Sequence, residues 1–145
     1  MTTQNINYLA VLIAAVSAMA VRYFWYAPGL FQETWLKVIG MDKCDKAAVE
    51  NMKKESRSHP TFMFIATFIS AAVMARFIDW LGATSMGAGI FVGFWGWLGF
   101  ALPITVNDIL FSGRENCHMW QLFLIQSSHH FFALLLMGGI LGAWK

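Results

Sequence analysis

The sequence predicts an all-α integral membrane protein: four transmembrane helices in a bundle, with a short cytoplasmic interfacial helix after the first span. Three observations predict it. The chain of 145 residues is 58% hydrophobic and only 12% charged, about half the charged share of a soluble domain, too little to surround a core with a water-facing surface. Its apolar residues fall into four runs, each near the ~20 residues a helix needs to cross ~30 Å of hydrocarbon. Its lysines and arginines concentrate between the first and second runs. Residues 1–145 therefore read as a single membrane domain, with spans at about 6–27, 60–81, 86–106 and 119–144 and a cytoplasmic loop at 29–59. The N-terminal MTTQNINY lacks a basic leader region, so the first run is expected to stay as an anchor.

In the first span, Asn5 or Asn7 can cap the start. Ala10, Ala14, Ser17 and Ala18 lie near one face and permit close approach of another helix. Its end, Arg22 to Tyr26, reads as an interfacial belt in which Arg22, Trp25 and Tyr26 meet lipid headgroups, and Pro28-Gly29 stops the helix. Next, Leu30, Phe31, Thr34, Trp35 and Val38 share one face of a short interfacial helix, with Glu33 and Lys37 as a surface pair, and Gly40 ends it. The segment from Asp45 to Ser56 reads as a solvated helix capped by Asp42 or Asp45.

The second span opens on Pro60 and closes with Arg76 and Asp79, able to pair near Trp80. Gly82 to Ser85 is a tight turn into the third span, where Gly89, Gly93, Gly96 and Gly99 form a packing stripe, Trp95 and Trp97 point elsewhere, and Pro103 can kink the inner end. Asn107 begins the last loop, in which Asn107 and Asp108 cap a turn and, with Arg114, line a cytoplasmic mouth able to bind a polar ligand. The fourth span, Met119–Trp144, has no formally charged side chain and carries Gly138 and Gly142 as a second packing edge.

Gln126, His129 and His130 interrupt that span about ten residues in, on one helical arc continued by Ala133 and Met137. At ~1.5 Å per residue this places them near the bilayer midplane, where ionisable groups point to a ligand or proton path. Neighbouring histidines diverge by about 100° on a helix, so they do not easily share one metal. No cofactor and no metal site is predicted; haem or metal ligation by His129 or His130 would need a second copy of the chain. The bland alternative is a pair of neutral imidazoles, one hydrogen-bonded locally and one packed as an aromatic ring.

Lys37, Lys43, Lys46, Lys53, Lys54, Arg57 and Arg114 fall on one side of the expected spans and only Arg76 and Lys145 on the other. The positive-inside rule then puts both termini outside the cytoplasm of a cell whose inner membrane holds the chain. Cys44 and Cys117 would be free thiols facing the reducing side.

Several motifs resemble a bacterial membrane family known as domain of unknown function 1761. They are Asn7-Tyr8-Leu9-Ala10, Trp25-Tyr26-Ala27-Pro28, Trp35 with Gly40, Trp97-Leu98-Gly99-Phe100, Asn107 with Leu110-Phe111 and Gly113-Arg114, Leu122-Phe123-Leu124-Ile125, and Leu134 to Gly142. The resemblance covers essentially the whole chain and implies a four-span inner-membrane protein with no assigned activity. Two departures stand out: Gln126 where the resemblance leads to an acid, and His129-His130 where it leads to aromatic residues.

Three function classes follow. The glycines favour a structural or accessory subunit, a homo-oligomer or part of a larger membrane complex. The histidines favour an oligomeric transporter or channel for a small solute or protons. A haem- or metal-binding protein is the third. The lipid bilayer is a partner in every case, while the net charge of +2, with lysines interleaved with acids, argues against nucleic acid. The pattern leans away from an enzyme.

Overall fold

The structure, a computed structural model, describes residues 6–40, 50–51, 60–111 and 116–144, the last helix with side chains from Met119 onward. All regular structure among these residues is helical. The expected helix from Asp45 to Ser56 lies largely outside them, as do Arg114 and Cys44.

Helix α1 spans Tyr8–Trp25, and Asn7 caps it by accepting from the backbone N–H groups of Leu9 and Ala10 at 3.1 and 3.3 Å. The cap supplies partners for amides that the first helical turn leaves without any. Gly29, at φ 94°, turns the chain into α2, Gln32–Val38. Gly40, at φ 76°, follows α2, and Gly82, at φ 65°, follows α3, Pro60–Trp80. A left-handed backbone strains residues with a Cβ, which is why glycine ends these helices.

Ser85 caps α4, Met86–Gly96. The helix continues through a π-helical turn, Trp97–Ala101, into α5, Leu102–Leu110. The Leu102 N–H donates to Trp97 O, five residues back. Pro103 has no N–H for Gly99 O, and its ring crowds that carbonyl; the wider turn sits where an α-turn would meet this conflict. The irregularity expected at Pro103 thus appears one turn earlier. Asn107 and Asp108, expected in a loop, lie in the last turn of α5, both exposed. The last helix, α6, is Asn116–Ala143.

Tyr8–Trp25, Pro60–Trp80, Met86–Leu110 and Met119–Ala143 are each long and apolar enough to cross a membrane. They pack around α6, which touches α1 to α5. Ala10, Val11, Ala14, Ala15 and Ala18 of α1, Ala71, Met74, Ala75 and Ile78 of α3, and Ala133, Met137 and Leu141 of α6 share one core. A smaller core joins Val38 of α2, Ile109 of α5 and Leu122 of α6, with Trp35 packed against it. Of the face expected for α2, Val38 is buried and Phe31 and Trp35 are half-buried, whereas Leu30 and Thr34 are exposed.

The glycines divide sharply. A Cβ at Gly89 would strike the carbonyl of Gly138, one at Gly93 the carbonyl of Leu134, and one at Gly142 the carbonyl of Ser85. The stripe does not extend along the whole third span: a Cβ at Gly96 would only graze Met74 at 3.9 Å, and one at Gly99 would meet nothing within 4 Å. Gly89→Ala and Gly138→Ala are each expected to destabilise the protein by at least about 2 kcal/mol, since two backbones must separate. Gly99→Ala is expected to cost nothing. Unfolding midpoints in mixed micelles check this, and equal costs at Gly89 and Gly99 would refute backbone contact between α4 and α6.

Candidate functional site at the end of the first helix

Ile125 to His130 is the most polar part of the exposed-to-buried path along α6, and two tryptophans hold it from opposite sides. Trp25, at the end of α1, donates from Nε1 to Ile125 O at 3.1 Å; Trp97, in the π-turn, donates to Ser127 O at 3.0 Å. A carbonyl in a helix has a second lone pair free for such a donor. Trp25 stacks on Phe31 at 4.9 Å and leans on Phe132 at 5.4 Å, and Trp97 meets Phe131 edge-on at 5.0 Å. Ser128 satisfies its own hydroxyl by donating back to Leu124 O.

The indole N–H of Trp25, a residue expected from sequence in an interfacial belt, is turned to α6. Trp97 does not point elsewhere. The available signal was its spacing, since it lies four residues beyond Gly93 and eight beyond Gly89, on the face that touches α6.

His129 is buried, at 5% exposure, and His130 is half-buried. Their rings lie 4.9 Å apart, and the Tyr26 ring lies 5.8 Å from His129. Tyr26 in turn meets Trp35 of α2 edge-on at 5.8 Å. Arg22, one turn before Tyr26, is near enough for its charge to be felt at Tyr26, His129 and His130, although burial is the larger influence on each. Gln126, one turn earlier on the same face, is half-buried. Among the described residues, His129 Nε2 is the buried side-chain polar atom without a hydrogen-bond partner. Leaving such a group unpaired costs ~1–3 kcal/mol, and it calls for a water, an ion or a ligand.

His129 stands level with Tyr26, just past the end of α1. By length, it lies about 21 Å along α6 from Ala143. Roughly the first two turns of α6 project beyond the end of α1, where α2 and α5 cover them through Val38 and Ile109. Of the residues expected at the interface, Tyr26 packs against His129, and Arg22, exposed, lies one turn before it.

Asn107 and Asp108 remain on the exposed end of α5, and Arg114, their expected partner, lies outside the described residues. No three His, Cys, Asp or Glu side chains converge to hold a metal among the described residues. The side chains of Cys117 and His118 lie outside that set. What the cluster offers is a fixed cation, a phenol, two imidazoles and an amide: hydrogen-bond donors and proton carriers, with no nucleophile beside a base.

A family model described as "Protein of unknown function (DUF1761)" matches residues 9–142. No curated protein and no solved structure matches the chain.

Trp25→Phe and Trp97→Phe keep a ring in place and remove the indole N–H. Each is expected to lower stability by ~0.5–1.5 kcal/mol, read from thermal unfolding in detergent. His129→Phe removes the unpaired nitrogen and is expected to leave stability unchanged or to raise it by ~1–3 kcal/mol. A large loss of stability in His129→Phe would mean that Nε2 has a partner inside the protein.

Proposed function

The chain belongs to the DUF1761 family, and on that footing we propose that it is an integral membrane protein whose four long helices cross a bacterial inner membrane as one bundle. Its function is to bind a small solute or a proton at the His129 cluster and pass it through the membrane. The outer surfaces support the membrane reading. Leu9, Leu12 and Val16 of α1, Ile65, Ile69 and Val73 of α3, Phe91 and Trp95 of α4 and Leu124 and Leu136 of α6 are exposed large hydrophobics. In water such faces would aggregate, while lipid covers them without cost. By the positive-inside rule, α2 and the lysine-rich segment lie in the cytoplasm and both termini outside.

The observation that carries the functional reading is the unpartnered, buried Nε2 of His129 beside Tyr26, His130 and the charge of Arg22. An ionisable group retained within an apolar helix at a cost in stability marks a site of use. The accessory-subunit reading loses its main support, because Gly89, Gly93, Gly138 and Gly142 are occupied by contacts inside one chain. Haem or metal ligation would still require His129 or His130 of a second copy.

Two measurements test this reading. An impermeant amine or thiol reagent is expected to label the segment from Lys43 to Arg57 in inverted membrane vesicles and not in intact cells; labelling in intact cells would overturn the orientation. Proteoliposomes are expected to pass protons or a small solute above the level of empty liposomes, and His129→Phe is expected to abolish the difference while Asn107→Ala preserves it. Flux that His129→Phe leaves untouched would end the transport reading.

A further inference from the structure

The donors gathered around His129 share one chemistry, and it is selective. Arg22 is exposed and permanently charged, with N–H donors in a planar fork. Tyr26 follows it by one turn on the same face of α1, half-buried, with a hydroxyl to give. From the facing helix come His129, whose Nε2 is buried and unpartnered, and His130. Among the described residues, the fixed charge acting on Tyr26, His129 and His130 is that of Arg22. A cation placed here would meet a like charge. An anion would meet a counter-charge and would complete the empty hydrogen bond.

We propose that Arg22, Tyr26 and His129 form a binding site for a phosphate group, reached from the end of α1. The guanidinium takes the charge, the phenol and the Nε2–H tautomer of His129 take further oxygens, and His130 lies beside them. Donors supplied by two helices suit a tetrahedral oxyanion with several oxygens better than a planar carboxylate, which an arginine fork satisfies by itself. The phosphate has two possible carriers, an acidic phospholipid headgroup or a soluble phosphate. The position of Arg22 within the last turn of α1 puts the site within reach of both. This inference rests on reading the cluster as a ligand site, but it does not require that anything be transported.

The full chain in nanodiscs provides the test. One arm compares phosphatidylcholine discs with discs that also contain phosphatidylglycerol. The other adds inorganic phosphate to phosphatidylcholine discs, against chloride at the same ionic strength. Thermal midpoints are read together with the imidazole 15N resonances of histidine-labelled protein. Saturating ligand is expected to raise the midpoint by about 4 °C and to shift the His129 resonance. A response to phosphatidylglycerol alone identifies a lipid, and a response to free phosphate identifies a soluble ligand. Arg22→Gln and Tyr26→Phe are expected to lose the response, and Arg76→Gln, at the far end of α3, to keep it. No response in either arm with the unmutated protein overturns the proposal whatever the variants do, as does a response that survives in Arg22→Gln. A protein that binds phosphate and passes nothing keeps this inference and ends the transport reading alone.

Discussion

Where Gly89 of α4 crosses Gly138 of α6, two helix backbones meet with no side chain between them, and most of the molecule's arrangement follows from that contact. With Gly93 against Leu134 and Gly142 against Ser85, it extends over two turns of each helix. Packing this close puts many backbone atoms of the two helices within dispersion distance, and that contact helps hold them together. It also fixes register. With Gly93 on Leu134, Trp97 lies one turn further along the third helix, and its long side chain reaches α6 about two turns nearer that helix's start, at Ser127 O. The small residues thus act at a distance: they set the position of a hydrogen-bond donor that they do not touch.

That placement explains how a polar knot survives in an apolar helix. Serine hydroxyls bond to carbonyls of their own helix, as Ser128 does to Leu124, and in doing so draw on the local backbone. The indoles of Trp25 and Trp97 add bonds from outside and pin the same stretch against α1 and the π-turn. Everything near His129 is therefore held, while its own Nε2 is left without a partner. A buried polar atom whose neighbours are tied by bonds of their own is harder to satisfy by a small rearrangement.

Much of this was legible in the sequence, and the rest was hidden for definite reasons. Asn7, Gly29, Gly40 and Gly82 announce helix ends through local backbone chemistry, so they could be read singly. The close-packed glycines could be read from spacing, but Gly99 could not be separated from Gly89 by spacing, since only the neighbour decides which glycine is crossed. The π-turn before Pro103 then shifts the phase of every later residue by an extra position, which defeats a wheel drawn at 3.6 residues per turn. The meeting of His129 with Tyr26 was hidden for a similar reason. A helical wheel gives a residue's direction, and counting along a span gives its depth only if all spans start at one level. Here α6 begins well past the end of α1, so the apparent midpoint of the fourth span coincides with the last turn of the first.

The two departures from the family resemblance acquire a physical meaning from this geometry. Residue 126 lies one turn before His129 and His130 and next to Ile125, whose carbonyl meets Trp25 at the end of α1. A carboxylate at that position would stand on the face that carries the histidines and oppose the charge of Arg22. Gln126, half-buried on that face, brings no such charge. The second departure acts in the same direction. Aromatic rings at 129 and 130 would preserve the stacking that Tyr26 makes with His129 but would remove the inward nitrogen. Taken singly, each change looks like a loss, of an acid or of packing surface. Together, a glutamine at 126 and imidazoles at 129 and 130 leave the corner beside Arg22 with polar groups and one buried nitrogen without a partner among the described residues.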